Sequence, residues 1–156
     1  SIPDIEITTD IIVGFPTETD EDFEETLNII RDVEFLSAYT FIYSPRPGTP
    51  AAEMVQLDKN VVQKRFEKLQ TLQDEIMLKR HKAYIEKIVK VLVEKHSGRK
   101  DDKTKRFTGR DEHGILVHFE SFAEPTPGSI VDVKITYSAP THLLGNLESE
   151  SNKGKV

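Results

Sequence analysis

The residues best suited to chemistry lie in one nine-residue stretch, Tyr43-Ser44-Pro45-Arg46-Pro47-Gly48-Thr49-Pro50-Ala51. Three prolines fix φ there, and Gly48 is the one position free to take positive φ, so the stretch holds one shape without a packed core beneath it. It carries a single cation, Arg46, with hydroxyls at Ser44 and Thr49. Such a loop at the C-terminal end of a strand can seat an anion or a ligand. A stiff connector with a solvated arginine is the competing reading. A second concentration is the acidic run Asp20, Glu21, Asp22, Glu24 and Glu25. Paired carboxylates can serve general acid–base catalysis. The first turns of a helix also favour acids through the dipole, which accounts for this run without catalysis. A third group joins Lys105, Arg106 and Arg110 to Phe107 on one short segment. Cations with an aromatic ring suit a groove that tracks a nucleic-acid backbone and stacks a base. Phe107 reads equally as an ordinary core residue.

Other chemistry is thin. Cysteine is absent from the 156 residues, which removes disulfides, thiolate catalysis and cysteine-held zinc or iron–sulfur clusters from this segment. The five histidines, His81, His96, His113, His118 and His142, do not pair at metal-ligand spacing, so no metal site is expected.

Two kinds of periodicity position these residues. Ile5 to Val13 ends in the apolar run Ile11-Ile12-Val13 before Gly14-Phe15-Pro16, the pattern of a buried parallel strand. Thr19 then reads as a helix N-cap with Asp22 as its capping-box partner. Phe23, Leu27 and Ile30 mark the apolar face of that helix, and Val33 extends it. Tyr39 to Tyr43 forms the next strand. Strand, helix and strand make a βαβ unit with a parallel sheet. Two strands are too few for a stable parallel sheet, so further strands are expected before Ser1, in keeping with a start that lacks Met. Val62, Phe66, Leu69, Leu72 and Ile76 mark a long helix from about Lys59 to Tyr84, whose later turns carry Lys79, Arg80, His81 and Lys82. These four suit a helix C-terminus or a contact with nucleic acid.

From Lys87 the period becomes 2. Val89, Val91 and Val93, then Ile115, Val117 and Phe119, then Val131, Val133, Ile135 and Tyr137 alternate with other residues. With Lys105 to Arg110 and Leu143 to Leu147 they give about five short strands. Turns are expected at Asp111-Glu112-His113-Gly114 and at Pro127-Gly128. The spacing fits a small antiparallel barrel of the OB kind. Ser97 to Lys103 reads as a polar loop, and residues 149–156 as a disordered tail.

Charge follows the same division. The net charge is −6. Through Asp58 there are 13 acids and 2 bases, and from Lys59 onward 14 acids and 19 bases. Between Lys79 and Arg110 there are 12 bases and 4 acids, a local field that draws polyanions. No apolar run approaches the roughly 20 residues of a membrane helix.

Two stretches together resemble a known family. Asp10-Ile11-Ile12-Val13-Gly14-Phe15-Pro16-Thr17-Glu18-Thr19 is similar to the fifth-strand segment of the radical S-adenosylmethionine methylthiotransferases. The stretch from Tyr43 to Ala51 is similar to their sixth-strand segment. The barrel, with Gly109-Arg110, Val117-His118-Phe119 and Leu144-Gly145-Asn146-Leu147, resembles the TRAM module that closes these enzymes. The MiaB type, which adds a methylthio group to isopentenyladenosine beside the tRNA anticodon, is the branch most resembled. A branch acting on threonylcarbamoyladenosine, one acting on a ribosomal protein, and a plain RNA-binding TRAM module are the alternatives. Arg46 and the basic stretch point to the tRNA branches.

The resemblance implies an α/β fragment, the last β/α units of a partial TIM barrel, followed by the TRAM barrel. Residues 1–86 would be the barrel end with its long helix, and residues 87–148 the TRAM unit. Ile12, Val13 and Gly14 would lie against the adenine of S-adenosylmethionine, with Tyr43, Ser44 and Arg46 at the mouth of that site. Lys105, Arg106, Phe107 and Arg110 would hold RNA. The parent would carry S-adenosylmethionine and two 4Fe-4S clusters and act in the cytoplasm on the tRNA anticodon stem-loop. The family's CxxxCxxC motif is missing here. This piece, separated from the N-terminal part of the same protein, is therefore expected to be inactive and to supply no catalytic residue.

Overall fold

A computed structural model describes residues 5–94, 105–121 and 125–148, without the side chain of Lys105. The loop expected at 97–103 and the tail expected at 149–156 lie outside the described residues. The chain divides into two compact units, residues 1–77 and 78–156.

In the first unit, strand β1 (Thr8–Val13) pairs in parallel with β2 (Ser37–Ile42), and helix α1 (Asp20–Val33) connects them. Thr19 starts α1 as read from sequence. Its hydroxyl accepts from the Asp22 amide at 3.1 Å, and the Asp22 carboxylate accepts from the Thr19 amide at 2.9 Å. The bond from the Thr19 amide, and then a second to the same carboxylate from the Thr19 hydroxyl at 2.9 Å, hold the Asp22 carboxyl below the ordinary carboxylate range. After a short helix α2 (Pro50–Glu53) comes α3 (Lys59–Lys82). The Asp58 carboxylate caps α3 by accepting from the Asn60 amide at 2.8 Å. Phe23, Leu27 and Ile30 of α1 pack with Leu69 and Ile76 of α3 and with Val13 into one buried cluster.

Two expectations for this unit need correction. Val33 does not extend the buried face; it is 40% exposed. The run Ile11-Ile12-Val13 is not buried on both faces, since Val13 joins the core while Ile12 is 58% exposed. Alternation explains it. Helices cover one face of the two-stranded sheet, and Ile12 shares the other face with its register partner Phe41 and with Tyr39.

In the second unit, five strands close into a barrel: β3 (Ile88–Val93), β4 (Lys105–Arg110), β5 (Leu116–Ser121), β6 (Ile130–Ser138) and β7 (Leu143–Leu147). Their order is β3-β4-β5-β7-β6, with β6 returning to β3. Val91, Val93, Val117, Phe119, Val133, Ile135 and Leu143 fill the interior. The barrel is mixed, not antiparallel. The last strand inserts between β5 and β6 and runs parallel to β5. A bulge between Ile135 and Tyr137 also reverses the expected alternation on β6. Tyr137 consequently turns out to solvent and Ser138 is buried in its place.

His81, read as part of a basic helix end, is buried as well. Its Nδ1 donates to the Ala139 carbonyl at 2.7 Å. Among the described residues no helix is long and apolar enough to cross a membrane.

Candidate functional site

Because β1 and β2 are parallel, their C-terminal ends emerge side by side. The ladder ends at Val13 and Ile42, and the Tyr43 amide adds one further bond to the Val13 carbonyl at 2.8 Å. Beyond that bond the Phe15 and Tyr43 rings meet edge to face, 5.1 Å between centroids. A loop from each strand is thereby fastened to the other. Ser44 and Arg46 follow on the exposed surface. The Arg46 carbonyl accepts from the Thr49 amide at 3.2 Å and from its hydroxyl at 2.8 Å. With Pro47 and Gly48 between them, and φ of +82° at Gly48, this is a type II turn. The guanidinium of Arg46 makes no hydrogen bond or ion pair among the described residues.

Three candidates on β1 occupy different environments. Ile12 presents its side chain on the open sheet face. Val13 is buried under the helices and offers the site only its backbone. Gly14, with φ of +78°, lies directly beneath Val62; a Cβ added there would stand 2.5 Å from Val62 Cγ1. Its amide donates to Glu18 Oε2 at 3.0 Å.

On the barrel, β4 separates the residues that sequence grouped together. Phe107 shares the interior face with buried Phe119 and stacks on it at 5.7 Å. Arg106 and Arg110 lie on the opposite face, and Lys105 contributes its backbone to β4. Arg106 reaches Glu120 at 3.4 Å, while Arg110 pairs with Glu94 at 3.2 Å and donates to the Gly114 carbonyl at 2.8 Å. Between the two arginines sits Thr108, its hydroxyl 2.8 Å from His118 Nδ1. The His118 ring in turn meets His142 edge to face at 5.1 Å. Burial, then His142 and Arg106, push the His118 pKa below the ordinary 6.5. The rings sharing the face of these arginines are thus imidazoles, while Phe107 lies on the other face.

No family model matches the chain. Curated relatives do. A protein named tRNA-2-methylthio-N(6)-dimethylallyladenosine synthase from Streptomyces viridosporus is 51% identical over 146 residues, 92% of this chain and 29% of its own length. Synthases of the same name from Tropheryma whipplei and Bifidobacterium adolescentis are 52% and 46% identical, over 93% and 98% of this chain and 31% and 32% of theirs. The chain is homologous to a segment of the tRNA methylthiotransferases. It spans about three-tenths of the length of these relatives.

Sequence reading gave no site role to Phe15, Glu18 and Arg65 in the first unit or to Thr108, His118 and His142 in the second. Phe15 had a signal, since it stands between the Gly and Pro that end β1. Thr108 and His118 are in register across two strands, and pairing of that kind is not visible in a linear sequence.

Proposed function

We propose that this chain is the C-terminal segment of a tRNA methylthiotransferase that modifies isopentenyladenosine beside the anticodon by radical S-adenosylmethionine chemistry. The observation that carries the proposal is the pair of joined strand ends, in a chain about half identical to synthases of that name. The open face bearing Ile12, Tyr39 and Phe41 would look into the interior of a partial TIM barrel closed by further strands.

The residues present fit S-adenosylmethionine. Exposed Ile12 offers apolar surface to an adenine, and the Arg46 guanidinium, without a partner among the described residues, can clamp a carboxylate bidentately. They do not fit an iron–sulfur cluster, which needs thiolates that this cysteine-free chain lacks. When bound, the cofactor supplies the radical chemistry. The chain's own residues bind and orient: Tyr43 and Phe15 fix the two loops, and Arg46 holds an anionic group.

The second unit would be the TRAM module that holds tRNA. The outer strip of Arg106, Thr108, His118, His142 and Arg110 offers cations and imidazole rings to a phosphate backbone. A labelled tRNA anticodon stem-loop titrated with the chain at low and moderate salt tests this half. Binding should weaken steeply with salt, and Arg106→Ala/Arg110→Ala should flatten the slope. Absence of salt-sensitive binding would remove the RNA role.

A further inference from the structure

The ion pair between α3 and the turn after β1 lies nearly out of water. The side chains of Arg65 and Glu18 are 9% and 12% exposed. Arg65 Nη1 donates to the Glu18 carboxylate and, at 3.1 Å, to the Glu18 carbonyl; Nη2 donates to Asp20 at 2.7 Å. The guanidinium also lies 5.6 Å from the centre of the Phe23 ring. A buried ion pair is a poor source of stability, because desolvation offsets the attraction. A pair of well-packed apolar residues would hold α3 to this turn as firmly. What the charges add is direction.

That direction reaches the strand end. The second oxygen of Glu18 accepts from the Gly14 amide, so Arg65, Glu18 and Gly14 form one line of hydrogen bonds from helix to strand. The turn between them is strained. The Glu18 amide donates to the Phe15 carbonyl at 2.9 Å, and Thr17, at its third position, has φ of +78°. A non-glycine residue there costs about 1–3 kcal/mol and persists only where its surroundings over-determine it. The clamp by Arg65 is such a surrounding, and the turn it restrains carries Phe15 against Tyr43.

We infer that Arg65 is a positioning residue for the strand-end site: through Glu18 it sets the Gly14–Glu18 turn against which the bound S-adenosylmethionine lies. The inference rests on the function proposed above and adds a residue that does not itself touch the ligand.

The test uses the full-length methylthiotransferase containing this segment, as wild type and as Arg65→Met. S-adenosylmethionine affinity is read by calorimetry, and amide hydrogen exchange is read at Gly14 and Leu27. Arg65→Met should weaken affinity about tenfold or more and speed Gly14 exchange by a similar factor, with Leu27 unchanged. Equal affinity in variant and wild type would overturn the inference while leaving the proposed function standing. No binding by the wild type would overturn both. If Leu27 exchange also rises, the core has loosened, and Glu18→Gln decides. It keeps an acceptor for Gly14 but loses the ion pair, so it should show the same selective loss. Affinity equal to wild type in Glu18→Gln would again overturn the inference.

Discussion

On the outer face of the barrel the pKa of His118 is lowered, first by burial and then by His142 and Arg106. Its folded pKa lies below 6.5 while the unfolded chain titrates near that value, so in the window between them the unfolded state binds more protons. Stability is therefore present above pH 6.5 and is lost as pH falls through the window. Asp111 has the opposite sign at lower pH. Burial raises its carboxyl above 3.8 against the backbone bonds from Ile115 and His113, so its contribution declines as pH rises from 3.8. Comparing urea midpoints at pH about 7.5 and about 5.5 should show a smaller drop in His118→Gln than in the wild type. An identical drop in both would contradict this assignment. Thr19, Asp22, Phe23, Leu27 and Ile30 were legible in the sequence because capping and helical periodicity act between near neighbours. His118 and His142 were not, because their meeting depends on β7 arriving beside β5.

At the scale of elements, two glycines let the barrel strands approach. A Cβ on Gly145 of β7 would lie 2.4 Å from the Lys134 carbonyl oxygen and 2.6 Å from Val133 Cγ1. That carbonyl is part of β6 and cannot swing aside as a side chain tip would. Gly145→Ala should therefore cost about 2–3 kcal/mol, read as a lower urea midpoint for the second unit. A midpoint unchanged from wild type would show that β6 and β7 can move apart. Gly109 meets the Leu92 carbonyl in the same way. Three of the five strands were readable from period 2, since their inward residues are mostly apolar. Their order was not, because alternation reports which way a side chain faces and not which strand lies beside it. The bulge on β6 shows the same limit. Val131, Val133, Ile135 and Tyr137 follow one alternating pattern, and one extra residue turns the last of them outward.

For the whole molecule, the charge division read from sequence runs close to the division into two compact units. The acidic first part carries the joined strand ends, and the basic part carries the barrel with its outer arginines. Under the function proposed above, both would serve one tRNA-modifying enzyme. The loop from Tyr43 to Ala51 was legible because proline and glycine dictate its shape locally. The clamp from Arg65 to Glu18 was not, being a contact between residues 47 positions apart. Arg46 is the one guanidinium beside the strand ends and without a partner among the described residues, and the proposed site depends on it. Its most direct test is nucleoside mass spectrometry of tRNA from cells whose only copy of the full-length protein carries Arg46→Ala. The expected result is isopentenyladenosine without its methylthio group, at normal levels of the variant protein. Methylthio content equal to that of the wild type would contradict it.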